Sequence, residues 1–157
     1  MTIISDSSPA PLPMEKPLLI IEEIISIFLP YAESLQENKR GDGNLHLYEN
    51  NRLAVALVTG GEVNIYHGAD MMWLATARAP FIFGLQGSPF QYNSFNFKPE
   101  KNSKISVLPR EKALEIIIKH HIFPQVLTYQ TYLHDFWENR NNLLINKSLL
   151  QISFGLT

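Results

Sequence analysis

From Asn44 to about Leu108 the chain is cut into short apolar pieces, and this texture constrains the fold more than any other feature of the sequence. Seven segments, LHLYE, LAVALVTG, EVNIYHG, MMWLATA, FIFGL, FQYNSFNF and KISVLP, run four to eight residues each and are rich in Val, Ile, Leu, Tyr and Phe. Asn-Asn, Gly-Gly, Gly-Ala-Asp, Pro and Pro-Glu-Lys-Asn separate them, all residues that favour turns. Branched and aromatic side chains suit a pleated surface. Within EVNIYH, apolar Val63 and Ile65 flank polar Asn64, and Tyr92, Phe95 and Phe97 stand among polar neighbours. One buried and one wetted face is the habit of antiparallel strands. The stretch therefore predicts a mostly β domain over 44–122, a double-stranded β-helix or β-roll of the jelly-roll type. Tyr92, Phe95 and Phe97 are expected to pack in its core or at its rim.

Helical patterns flank this region. Residues 1–14 hold three Pro and three Ser without apolar period and are expected to form a flexible tail. Residues 15–43 read as an N-terminal helical segment. Pro17 suits a first helical position, and Leu18, Ile21, Ile24, Ile25 and Phe28 recur at helical spacing. Pro30 should end or kink that helix, YAESLQENKR can resume it, and GDGN breaks it. After Leu108, Pro109 opens a short helix striped by Ala113, Leu114, Ile117 and Ile118, with His120 and His121 at its solvated end. A long amphipathic helix is expected over 123–145. Its Val126, Tyr129, Leu133, Phe136, Trp137 and Arg140 approach a three-four repeat, which suits a seam against a second copy of the chain. The alternative for this stripe is packing back on the roll.

Composition sets outer bounds. The 157 residues are about one domain's worth, 45% hydrophobic and 18% charged, an ordinary globular balance. A net charge of −2 gives no overall basic signature of a nucleic-acid binder. The absence of cysteine excludes disulfides and thiolate ligands and fits a reducing compartment. The run PLLIIEEIISIFLP carries two Glu and is too short to span a bilayer, and no signal-peptide pattern opens the chain. The expectation is a cytoplasmic protein with no membrane partner. His46, His67, His120, His121 and His134 form no His-x-His pair on a strand, so no metal site is expected, and Asp70 is a hairpin turn residue. Neither a P-loop, nor Gly-x-Ser-x-Gly, nor a dinucleotide fingerprint is present. No catalytic residue and no cofactor are predicted; the chain does not read as an enzyme.

The order helix, short strands, short helix, long helix resembles the sensor half of the Crp/Fnr-type bacterial regulators. More narrowly, VTGGEVNIYHG and APFIFGLQG look like the enterobacterial Crp-like winged-helix regulators, the group that includes the inhibitor of hydrogen peroxide resistance. The resemblance covers about residues 44–145, and its most specific piece is APFIFGL. It implies that the segment after Phe83-Gly84 is a phosphate-binding cassette, so Phe83, Gly84, Leu85, Gln86, Gly87 and Tyr92 are the ligand-pocket candidates. The family's cyclic-nucleotide sites carry a Glu after Phe-Gly for the ribose and an Arg a few residues on for the phosphate. Here Leu85 takes the place of the Glu, no Arg occurs between Ala79 and Pro109, and Lys98, Lys101 and Lys104 fall beyond the cassette. Binding of cyclic nucleotide in the usual mode is therefore not expected. The family also continues into a winged helix. Residues 146–157 read instead as a C-terminal segment without one, and 141–157 hold one Lys and no Arg. The chain would be an excised sensor half or a member without its DNA-binding domain, and would meet DNA only through a winged helix supplied from outside it. The resulting expectation is a sensor and dimerisation domain of a transcriptional regulator, a homodimer with a possible unknown small ligand. A protein-interaction module derived from such a regulator is the alternative, and a cupin-like enzyme a more distant one.

Overall fold

The computed structural model describes residues 14–35, 43–86, 92 and 94–138. Helix α1 (Leu18–Phe28) is followed by a 3-10 turn (Leu29–Tyr31) and by eight strands: β1 (Glu33–Leu35), β2 (Tyr48–Glu49), β3 (Arg52–Gly60), β4 (Glu62–His67), β5 (Trp73–Arg78), β6 (Phe81–Phe83), β7 (Phe95–Pro99) and β8 (Lys104–Pro109). Helix α2 (Arg110–His120) and a further helix, α3 (123–138), complete the described chain.

The strands form two antiparallel sheets. One runs β1-β8-β3-β2 with β6 also paired to β3; the other runs β5-β4-β7. Turn chemistry sets the hairpins. Asn50 and Asn51 both have positive φ, 52° and 61°, which closes β2 on β3 with Glu49 opposite Arg52. Gly61 sits at φ 79° between β3 and β4, where a Cβ would lie 2.6 Å from Ser103 Oγ. That hydroxyl donates to the Glu62 carbonyl at 2.9 Å and so pins the turn to the start of β8.

Alternation explains the second sheet: Val63 and Ile65 of β4 face inward while Asn64 and Tyr66 do not. The central strand of the first sheet departs from alternation, with Val55, Ala56, Leu57 and Val58 buried in succession. Its second face is covered, because α2 packs on β3 through Ala113, Ile116 and Ile117, and α1 packs on α2 and β6 through Ile21, Ile24, Ile25 and Phe28. A strand buried on both faces reads as a continuous apolar run. No polar or charged residue is buried among those described.

Two expectations for the N-terminal segment change. Pro17 is the capping residue and α1 begins at Leu18, while residues 33–35 past Pro30 are not helical and residues 36–42 lie outside the described residues. Glu33, Ser34 and Leu35 pair instead with Val107, Ser106 and Ile105 on the edge of β8. The edge strand offers unpaired backbone groups, and three residues of ladder satisfy them where one stray helical turn could not. Residues 1–13 of the expected tail lie outside the described residues, as do Arg140, 139–145 of the long helix and 146–157.

Helix α3 differs from expectation in what it covers. Val126, Tyr129 and Leu133 are buried in this chain's own core, and Phe136 and Trp137 pack against the same core while partly exposed. The Tyr129 hydroxyl donates to the Ile82 carbonyl at 2.8 Å and accepts from the Ile82 N–H at 2.8 Å. These three residues thus take the alternative, packing back on the roll, and are not open to a second copy. Polar pairing of Tyr129 within the roll, which periodicity does not report, anchors the helix.

Candidate functional site

β6 delivers the chain into the cassette turn. Phe83 is buried, with its ring centroid 4.8 Å from that of Phe81 and 5.1 Å from that of Phe97. Gly84 then takes φ 97°, and a Cβ there would drive into the Ala54 carbonyl oxygen of β3. Only glycine combines that dihedral with so close a backbone approach. Leu85 is buried beneath the turn, and its carbonyl accepts from Gln130 Nε2 of α3 at 2.7 Å. The Gln86 carbonyl accepts from the Tyr92 hydroxyl at 2.5 Å. Burial pushes the Tyr92 phenol up, opposed by hydrogen bonds with Gly84 and Gln86 and by the Arg110 charge.

Between this turn and one flank of α3 lies a cavity of about 370 Å³, lined by Gln86, Tyr92, Ser94, Phe95, His134, Trp137 and Glu138. Trp137 stacks on Phe95, with centroids 5.2 Å apart and planes 25° from parallel. Three aromatic rings and a few polar groups are the usual lining of a small-molecule site. Gln86 Oε1 is buried without a hydrogen-bond partner. No Lys or Arg lines the cavity among the described residues, and Glu138 brings a carboxylate to its wall. A cyclic phosphate placed here would meet no cation among the described lining and would face an anion, a costly arrangement away from water.

Of the cassette candidates, Gln86 and Tyr92 line the cavity, Phe83 and Leu85 belong to the core beneath it, and Gly84 shapes the turn. Gly87 lies outside the described residues. Trp137, expected on a dimer seam, stands on the cavity wall instead. Ser94, Phe95, His134 and Glu138 complete the lining. No sequence pattern marked Ser94, His134 or Glu138, because they reach the cavity from a loop and a helix about forty residues apart. His67, at the end of β4, is partly exposed and bonds Asp70 Oδ1 at 3.0 Å, and Asp70 also accepts the Met72 N–H, as a turn residue should. The Met72 N–H, first, and His67 hold the Asp70 carboxyl below its ordinary value.

An antiparallel roll of this strand arrangement, entered by a helix and closed by another, has the cyclic-nucleotide-binding-like jelly-roll fold. The same fold occurs in the carbon-monoxide-dependent transcription factor CooA of Carboxydothermus hydrogenoformans. A mutant of CooA aligns with a TM-score of 0.61 at 17% identity, covering 96% of this chain and 100% of that chain. The heme domain of CooA aligns with a TM-score of 0.59 at 17% identity, covering 85% and 96%. No protein-family model matches the sequence, and no curated protein matches it significantly. No group of three or more metal-ligating side chains that could hold a metal ion exists among the described residues. No helix among the described residues is long and apolar enough to cross a membrane.

Proposed function

We propose that the chain is the effector-sensing half of a Crp/Fnr-type transcriptional regulator, and that its cavity beside the cassette takes a small ligand other than a cyclic nucleotide. The observation that carries this reading is the cavity wall. It combines three aromatic rings and the Glu138 carboxylate, and no Lys or Arg among the described residues lines it to meet a phosphate. The burial of Leu85, where the resembled family has its ribose-binding Glu, supports the same conclusion. Self-association belongs to the proposal, carried by the outward faces of α2 and α3. Leu114 and Ile118 stand four residues apart on one helix, Phe123 and Leu127 on the other, and all four are exposed. DNA contact would come from a winged helix outside this chain.

Titration calorimetry with cAMP and cGMP at millimolar concentration is the test. No saturable heat is expected from either. A dissociation constant in the micromolar range would overturn the reading of the cavity.

A further inference from the structure

The other flank of α3 borders a second, larger cavity. At 3.6 residues per turn, His134, Trp137 and Glu138 point to one side of the helix and Tyr132, Asp135 and Phe136 to the other. The latter three, with Met14, Lys16, Trp73, Thr76, Ala77, Arg78 and Phe81, enclose about 600 Å³. That volume is in the range of small-molecule sites.

Its walls are aromatic and fixed. Phe81 and Phe136 have centroids 5.5 Å apart, and Tyr132 and Phe136 6.2 Å. Trp73 donates its indole N–H to Thr76 Oγ1 at 3.2 Å, and that hydroxyl donates to Asn64 Oδ1 at 2.6 Å. The indole is thereby held by a hydroxyl of the same wall, which is itself tied to Asn64. Lys16 supplies the charge. Its Nζ donates to the Arg78 carbonyl and lies 5.6 Å from the Phe81 ring centroid. No described carboxylate stands within ion-pair distance of it. Burial, and then the neighbouring Arg78 charge, pull its pKa below the usual lysine value, as for an ammonium lacking a counter-ion. Arg78 is engaged elsewhere, donating from Nε to Glu62 at 3.0 Å. Asp135 accepts the Met14 N–H at 3.2 Å and ties the chain before α1 to α3. Lys16, Arg78 and Asp135 together leave the described wall with a net charge of about +1, which suits a single negative charge on a ligand.

We infer that this cavity binds a small aromatic monocarboxylate, its ring among Trp73, Phe81, Tyr132 and Phe136 and its carboxylate on Lys16. The site is separate from the cavity beside the cassette, and does not depend on that cavity's ligand.

The chain's two tryptophans make the test direct, since Trp73 lines this cavity and Trp137 the other. Trp137→Phe leaves Trp73 as sole reporter, and Trp73→Phe leaves Trp137. The probes are 3-phenylpropionate and its uncharged amide, 3-phenylpropionamide, of nearly the same shape. With Trp73 reporting, the carboxylate should change the emission saturably and bind at least tenfold more tightly than the amide. Lys16→Met should weaken carboxylate binding to the level of the amide, with the circular dichroism melt unchanged. The carboxylate–amide comparison stands on Lys16-intact protein, so the inference stays testable whether or not Lys16→Met folds. Equal affinity for the two probes, no saturable response at Trp73, or a response at Trp137 alone would overturn it. None of these results bears on the cyclic-nucleotide titration, which reads the cavity of Trp137.

Discussion

Tyr129 and Gly84 each meet a demand that no other side chain meets. The Tyr129 phenol is fully buried and satisfies both the N–H and the carbonyl of Ile82, which tolerates the desolvation of a polar group at the heart of the roll. Tyr129→Phe keeps the ring and abandons both backbone groups. The expected cost is roughly 1–3 kcal/mol for each group left unpaired, measured as a shift of the urea midpoint. Burial also pushes the Tyr129 phenol well above its ordinary value, and Tyr92 moves the same way. A raised folded-state value contributes stability that is fully present below the unfolded value of about 10 and is lost as pH climbs toward the folded one. Urea midpoints should hold steady up to about pH 9 and fall above about pH 10, with a shallower fall in Tyr129→Phe. Gly84→Ala places a Cβ into the Ala54 carbonyl at a dihedral L-residues rarely adopt. It should cost about 3 kcal/mol or more and, by displacing Leu85 and Gln86, open the floor of the cassette cavity. Both Gly84 and the phenylalanines around it were conspicuous in APFIFGL, because a Gly between large apolar residues signals close backbone approach. The partner it approaches, thirty residues earlier on β3, left no trace in the sequence.

Helix α3 shows how an apolar stripe can be legible while its partner is not. The spacing of Val126, Tyr129 and Leu133 marked one face, but an apolar face packs as readily on a sheet of its own chain as on a twin helix. Leu133 is 3% exposed and Leu127 51%, which separates the two roles. Leu133→Glu would bury an unpaired carboxylate in the core and should lose the cooperative melt, not merely the dimer. Leu127→Glu leaves the core untouched and should keep the β-rich circular dichroism while light scattering reports a smaller particle. A Leu127→Glu protein that associates as the parent does would remove this face from the self-association proposal. The strand β1 makes the converse point. Glu33, Ser34 and Leu35 carry no strong strand signal, and their pairing with β8 is decided by an edge that comes some seventy residues later.

Across the molecule, the seven punctuated runs, the break at Pro30 and the two-residue Asn50-Asn51 turn were open to reading because each is a local matter. Dihedral freedom, side-chain branching and period-two burial act within a few residues. That no Arg occurs between Ala79 and Pro109 was equally plain, and it disfavours a cyclic phosphate held in the family's usual mode before any coordinate is consulted. The cavities were not legible. One joins Gln86 to His134 and Glu138, the other joins Lys16 to Trp73 and Asp135, and both exist because α3 lies across the roll with a void along each flank. Short-range patterning thus marked the runs that hold β2 to β8, the three helices and the missing recognition residues. The burial of α3, the capture of β1 and the siting of Lys16 without a carboxylate partner among the described residues arose from packing between segments far apart in the chain, where the free energy depends on the shape of the partner surface and not on the period of either sequence.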